Sequence, residues 1–526
     1  MKKAFALMVV TALLGSVVGC STKDVNTSKA GTAEGGELKE LSYWVEMNPN
    51  VVPVAQNLNE VEYFKQLEER TGVKVNFLHP PVGQGAEQFK LLIASRNDLP
   101  DVIETAWLTA YPGGPEKAIK DGIIIPLNDL IDEYAPDYKA ALEQDPELMK
   151  QAKTDSGTIY GFHAINAGPN RAFSGLILRQ DWLDDLGLEN PTTIAEWETI
   201  LTRFKEEKGA QYPLSLSMDQ LRGGNLFNTA FKIGDGFYLD ENGKVQYGPL
   251  KQEYKEYLTL LNDWYKKGLI DPDFASIDSK AIESNILNGK SGASCAYIGG
   301  GIGILMKAAT DPNFSLIGAH NPVINKGEKP MFLGEFTHKI RGGSVAITTA
   351  AKDPAAIVKW LNYRYTDEGT ILKNYGIEGL TYEMVDGAET YTDLIMNNPD
   401  GLAIGNAMGK YLQVNYPGPG LCELPNYTRQ YYQLEQQRKA AETYNQYADY
   451  AAQYVIPPIA PTPEESKEQA TILAEVNTYL EEKFIGFVVG TESLENFDKF
   501  VEELKGLNIE KVIEIKQAGV DRYNAR

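Results

Sequence analysis

The chain predicts an α/β fold divided into more than one lobe, and three features carry that expectation. From Leu41 onward, short apolar strands alternate with amphipathic helical stretches, the pattern of parallel strands joined by right-handed crossovers. About 500 residues follow the leader segment, more than a single hydrophobic core accommodates. Hydrophobic residues make up 43% of the chain and aromatics 10%, which places it among globular proteins.

Residues 1–19 read as a signal peptide. Lys2 and Lys3 form a positive start, and Ala4 to Gly19 is an apolar stretch interrupted only by Thr11 and Ser16. That stretch is too short to span a bilayer, which needs roughly 20 apolar residues. It ends in Val17-Val18-Gly19-Cys20, so cleavage is expected before Cys20, with a diacylglycerol on the Cys20 thiol. An ordinary secretory cut beside an unrelated cysteine is the competing reading. Residues 20–40 then form a lipidated, flexible linker. Ser21 to Gly36 is small and polar, with too little apolar surface to offset the entropy of ordering it. No later segment is long and apolar enough to cross a membrane as a helix.

The folded body opens with a strand at Leu41 to Met47. A helix over Glu60 to Arg70 sets Val61, Phe64 and Leu67 on one face, and Thr71-Gly72 stops it, glycine suiting the left-handed end. Val73 to Leu78 is a second strand and Gln88 to Ser95 a second helix; the Asp98-Leu99-Pro100 turn leads into a third strand at Asp101 to Glu104. Gly175 to Arg179 is a strand, followed by a helix over Asp181 to Leu186 that Gly187 ends. Thr193 caps the helix Ile194 to Lys205, with Glu196 completing a capping box. Asp240-Glu241-Asn242-Gly243, inside Tyr238 to Tyr247, signals a hairpin.

Tyr254 to Lys267 is helical up to Gly268, and Ser294 to Ile298 is a strand running into Gly299-Gly300-Gly301. Ser344 to Thr349 is a further strand before the helix Pro354 to Tyr365. Beyond about residue 400 the chain reads as mainly helical, over Tyr427 to Tyr450, Pro463 to Phe484 and Leu494 to Leu504.

Composition excludes several classes of function. A net charge of −22 argues against nucleic-acid or anionic-lipid binding, which need basic patches. With Cys20 lipidated, only Cys295 and Cys422 are left, so a disulfide framework is excluded and two buried thiols are expected ahead of one long-range bridge. His79, His163, His320 and His338 show no HExxH spacing, so a zinc site has little support. The 29 tyrosines outnumber phenylalanine and tryptophan together, which suits flat, hydroxylated faces turned to polar ligands or simply to solvent.

Six segments carry a resemblance. Arg96 to Trp107 (RNDLPDVIETAW) resembles the SGDxPDVI segment of extracellular solute-binding proteins of family 1, and Leu176 to Glu198 resembles their YRKDWLEKLGL…PTTWDE stretch. Trp264 to Phe274, Leu287 to Gly299, Asp353 to Tyr363 and Tyr375 to Glu383 match in the same order, and together the matches cover most of the chain from Leu41 to Tyr523. The last two, with the long helical tail, resemble the LplA-type carbohydrate subgroup, which includes alginate-oligosaccharide binders.

The resemblance implies a two-lobed periplasmic-binding-protein-like fold (type II) with the ligand in a cleft that closes by a hinge. It also implies a lipid-anchored, monomeric substrate-binding protein on the extracellular face of the cell membrane, delivering an oligosaccharide to an ABC transporter permease. Carried onto this sequence, it places the N-terminal lobe at 41–167 plus 342–400 and the C-terminal lobe at 168–341 plus 401–526.

In such folds, ligands sit beyond the carboxyl ends of strands. Trp44 and Glu46 follow the first predicted strand, and Glu104 and Trp107 end the third. Arg171 precedes the fourth and Arg179 closes it. Tyr297 and Gly300 lie at the glycine-rich loop, where relatives place an aromatic and where glycines here would offer backbone amides instead. Arg341 stands beside Gly342-Gly343 on a crossing strand, Glu378 and Tyr382 flank the turn at EGLTY, and Tyr416 precedes Pro417-Gly418-Pro419-Gly420.

If Arg171, Arg179 and Arg341 converged they would suit an acidic sugar, because guanidinium grips a carboxylate with two prongs. Arg179 has the competing role of pairing with Asp181, and Glu378 that of capping its turn. Trp182, Trp197, Trp264 and Trp360 lie at helical spacing and are expected in the core.

No cofactor is expected. Alginate-binding relatives carry a calcium loop of alternating oxygen ligands, but Pro191 to Gln220 holds no matching loop and Asp240 to Gly243 is too compact. The run Gly299 to Gly303 lacks the Lys-Ser/Thr of a phosphate-binding loop. A secreted polysaccharide-active enzyme would need a pair of carboxylates at a defined separation, and no nucleophile or base motif stands out. A binder of peptide or another non-sugar solute would predict an apolar or strongly charged cleft.

Overall fold

The computed structural model describes residues 38–96, 98–414 and 418–526. Cys20, the leader and most of the linker lie outside the described residues, as does Tyr416.

Strand β1 (Glu40–Trp44) pairs in parallel with β2 (Lys74–Leu78) on one side and with β3 (Val102–Thr105) on the other. The helix Glu62–Thr71 between β1 and β2 ends at Gly72 with φ 69°, a left-handed stop that a side chain would resist. β4 (Phe162–Asn166) lies two places beyond β3, separated from it by the antiparallel β10 (Ile340–Ile347). β13 (Gly420–Cys422) joins β4 in parallel. The six-stranded order is β13-β4-β10-β3-β1-β2. Side chains alternate across this sheet: Tyr43, Val102, Val345 and Ile347 enter one buried cluster, while Trp44, Ile103 and Ala346 enter another with Phe89 and Trp107.

The second sheet is smaller. β5 (Ser174–Arg179) sits between β8 (Ala293–Tyr297) and β9 (Leu316–Gly318), antiparallel to both. Parallel pairing was expected throughout, but alternation of strand and helix specifies a parallel crossover only when one helix makes the connection. The long segment 180–292 returns the chain to the opposite edge of β5. Leu176 and Leu178 pack on one side with Trp182, Trp197 and Trp264, and Ile177 packs on the other with Ala440 and Tyr444. The capping box at Thr193 and Glu196 is present. The expected hairpin forms as β6 (Phe237–Leu239) and β7 (Val245–Tyr247), and a further ribbon, β11 (Tyr382–Val385) with β12 (Ala388–Tyr391), hangs beside the first sheet.

Three segments pass between the sheets. The first joins β4 to β5, the second joins β9 to β10, and the third leaves the end of β13. That third crossing corrects the expected division at residue 400. Helix Ile404–Tyr411 holds to the first body through Asn406, whose amide donates to the Asn50 carbonyl at 3.0 Å, and β13 completes the first sheet. The chain therefore changes bodies after Cys422. Local periodicity cannot reveal this, because a three-residue strand carries almost no pattern of its own.

The helix expected over Tyr427 to Tyr450 is divided into Pro425–Tyr431, Glu435–Asn445 and Ala448–Ala452. The tail helix Pro463–Val489 packs on Gln252–Lys266, where Asn262 donates to the carbonyls of Phe487 and Val488 at 2.9 and 3.1 Å. Among the described residues, no helix is long and apolar enough to cross a membrane. Cys295 and Cys422 are free thiols on separate sheets.

Candidate functional site

Strand directions define where the two bodies meet. β1, β3, β4 and β13 run the same way, so their carboxyl ends share one edge, and the antiparallel β10 enters at that edge. All three crossings therefore attach along the carboxyl edge of the first sheet. On the second sheet, Ser174 at the start of β5 pairs with Tyr297 at the end of β8, so the crossings attach at that edge as well.

Each of these edges carries a hollow. The first, of about 890 Å³, lies past β1 and β3 and is lined by Trp44, Glu46, Asn48, Lys90, Glu104, Thr109 and Gln413 among others. The second, of about 490 Å³, is lined by Ser174, Asp219, Gln220, Asn225, Tyr297 and Glu335 among others. Phe336 borders the second hollow and Gly343 the first. The seven residues of chain from one to the other span at most about 25 Å, which places the hollows as the two walls of one cleft.

In the first hollow, Trp44 presents an edge while packing against Phe89 at 5.9 Å. Glu46 is exposed, and Gly85 at the start of helix Gly85–Ser95 leaves room for its carboxylate; an added Cβ there would collide with it. Glu104 is buried and accepts a 2.5 Å hydrogen bond from the Tyr43 hydroxyl. Burial raises the Glu104 pKa, against the pull of Tyr43, Arg364 and Lys373. Lys373 lies beneath, donating to Gly418 O at 3.1 Å, and burial lowers it to about 8. Arg364 lies fully buried on the face of Trp360, 4.4 Å from the ring. These two cations balance the buried Glu104, which keeps a carboxylate tenable there.

In the second hollow, Tyr297 is 54% exposed and its hydroxyl donates to Glu335. That bond, with burial second, pushes the tyrosine pKa up to about 12, so it is a neutral donor. Cys295 behind it is pushed to about 12 by burial and is an unreactive thiol.

Four expected contacts take other roles. Trp107 is 0% exposed and donates its indole N–H to Ile103 O at 3.3 Å, so it is core. Arg179 sits between the rings of Trp182 and Phe314, at 4.6 and 4.4 Å, with its Nε bonded to Asp181 at 2.8 Å, at the end of β5 remote from the cleft. Arg171 donates to Thr337 O at 2.6 Å across the first and second crossings. Arg341 pairs with Glu423 at 2.9 Å and lies over Phe173, 5.1 Å away, tying all three crossings together. The three arginines do not converge on a ligand.

Gly300 is exposed with open space around it, in a single π turn over Ile298–Ile302 rather than a loop presenting amides. Tyr382 packs in a separate cluster with Tyr375 and Tyr391, and Glu378 is exposed beside it; neither lines a hollow.

Several lining residues escaped the sequence reading. Asn48 follows β1 in the run Asn48-Pro49-Asn50, a turn signal that marks where the strand opens onto the hollow. Asn225 has φ 48° after Gly223-Gly224, again a legible turn. Asp219, Glu335 and Gln413 carried no signal of their own.

The family model for bacterial extracellular solute-binding proteins matches residues 56–371, more than half of the chain. Lipoprotein LipO of Bacillus subtilis is 24% identical over 414 residues, 76% of each chain. The fructooligosaccharide ABC transporter substrate-binding protein FusA of Streptococcus pneumoniae is 24% identical over 559 aligned positions, 98% of each chain. Among solved structures, the alginate-binding protein AlgQ2 without calcium ion superposes with a TM-score of 0.71 at 24% identity, covering 92% of this chain and 99% of that one.

Proposed function

This chain belongs to the bacterial extracellular solute-binding protein family, and from that premise we propose that it is the substrate-binding lipoprotein of an ABC transporter, capturing an oligosaccharide by hinge closure. One observation carries the reading: two hollows stand on the edges where three crossing segments join two sheets. Closing the hinge brings their walls onto a ligand, and the permease then takes the ligand from the closed form. The cleft pairs aromatic edges, Trp44 and Tyr297, with planar acceptors and amides, Glu46, Glu335, Asn48 and Gln413. That combination suits sugar rings, which offer an apolar C–H face and a rim of hydroxyls. Relatives named for fructooligosaccharide and polygalacturonan/rhamnogalacturonan binding support the ligand class.

The protein acts as a receptor rather than an enzyme and works as a monomer without a cofactor. A lipid on Cys20 and the linker over residues 20–40 hold it at the outer face of the membrane, near its permease. Isothermal titration of the mature protein against an oligosaccharide panel tests the reading, with product analysis of the same mixtures. Binding without released product is expected, and Tyr297→Ala should weaken binding at least fivefold with its melting temperature unchanged, because its ring is half exposed. Turnover of any bound sugar overturns the receptor assignment.

A further inference from the structure

Charge is distributed unevenly between the two walls of the cleft, and that asymmetry bears on the chemistry of the solute. The lining of the first hollow holds Glu46, Glu104 and Lys90, with the cations Arg364 and Lys373 acting on Glu104 from behind. That wall is close to balanced. The second hollow has Asp219 and Glu335 and no lysine or arginine in its lining. Arg222 pairs with Asp219 at 3.9 Å, but the Asp219 side chain is 86% exposed, so water screens that pair and its carboxylate stays open to a ligand. Glu335 receives one hydroxyl hydrogen bond, from Tyr297, and is otherwise exposed. Arg179 is held by Asp181 and Arg341 by Glu423, while Arg171 sits behind this wall, over the ring of Phe336 and bonded to Thr337 O.

We propose that the cleft selects oligosaccharides without acidic groups, and that Asp219 and Glu335 are the residues that exclude uronic ones; the proposal rests on the receptor reading above. An ionised carboxylate only accepts hydrogen bonds, with room for up to four. A neutral sugar supplies hydroxyl donors to it, and such charge-assisted bonds are among the stronger ones available. A uronate brings a third negative charge to the same wall. Like charges about 8 Å apart, at effective dielectric constants between those of water and a protein surface, weaken binding roughly 2- to 30-fold each.

Titration calorimetry on the mature protein compares neutral gluco-, galacto- and fructo-tetrasaccharides with tetragalacturonate and tetramannuronate, at low and high salt. The wild type is expected to bind a neutral tetrasaccharide, with both uronates weaker by about tenfold or more at low salt and the gap narrowing as salt screens the wall. The variants Asp219→Asn, Glu335→Gln and their combination alter exposed side chains and should keep the wild-type melting temperature. The combination is expected to close most of the gap. A uronate that binds the wild type as tightly as the best neutral sugar overturns the selectivity and leaves the receptor reading standing. A gap that persists unchanged in the double variant overturns the assignment to these two residues. Failure of every sugar to bind refutes the receptor reading itself, and the selectivity falls with it.

Discussion

The contact between Arg341 and Glu423 is where the three crossings are tied, and its removal has a calculable consequence. Arg341→Met keeps much of the side-chain volume over Phe173 but leaves the Glu423 carboxylate, 8% exposed as a residue, without its partner. At 2.9 Å and an effective dielectric constant of 20, the pair attracts by about 6 kcal/mol before desolvation is counted. Burial pushes the Glu423 carboxyl up, and Arg341 is what draws it back. Breaking one side of such a buried pair destabilises by about 3–5 kcal/mol. For a lobe of a few hundred residues, that corresponds to a fall in melting temperature of about 10 °C.

Differential scanning calorimetry reads this directly, and a second variant isolates the cause. If the stranded charge is responsible, Glu423→Gln added to Arg341→Met should recover more than half of the loss, because a neutral amide is far cheaper to bury. A double variant as unstable as Arg341→Met alone refutes the charge account and leaves packing on Phe173 as the explanation.

Other consequences follow from single residues. His163 is 1% exposed, and burial lowers it to about 3, whereas the unfolded chain titrates near its ordinary value. The unfolded state therefore binds a proton that the folded state refuses, so stability is intact above about pH 6.5 and falls toward pH 3; at pH 5 the loss is about 2 kcal/mol. His163→Gln should flatten that part of the stability profile in melts from pH 7 to 4. Trp107→Ala should cost about 3–5 kcal/mol of stability through the cavity it leaves, as read by chemical denaturation; an unchanged denaturation midpoint would contradict its core placement. Gly168→Ala directs a Cβ into the Glu423 carbonyl, so it should shift the third crossing and change ligand affinity through the hinge, a shift visible as altered small-angle scattering of the ligand-free protein.

Four strands of the first sheet were legible as short apolar runs bounded by turn signals. Tyr43 and Trp44 enter opposite clusters, as do Val102 and Ile103, so both faces are buried and such strands read as continuous apolar runs. Stop signals were equally local: Gly72, Gly187 and Gly268 all have φ near +65°, a conformation that only glycine adopts freely. The placement of β13 was illegible for the opposite reason. Its position depends on pairing with β4, more than 250 residues earlier in the chain, and no local pattern encodes a partner at that distance.

The site separates along the same line. That Trp44, Glu46, Glu104 and Tyr297 line the hollows was legible because the carboxyl-end rule converts a strand boundary into a location, and each stands at or just past one. The arginines were misjudged because a guanidinium looks the same in sequence whether it awaits a ligand or already has a partner. For Arg179 the partner was two residues away at Asp181, and the sequence allowed that reading. For Arg341 the partner was Glu423, brought close only when the third crossing returns beside the second. The sequence left neutral and acidic ligands open; the fold pairs Arg179 and Arg341 with acids and turns Arg171 to a carbonyl. An acidic sugar needed three arginines to converge; Asp219 and Glu335 stand in the lining instead.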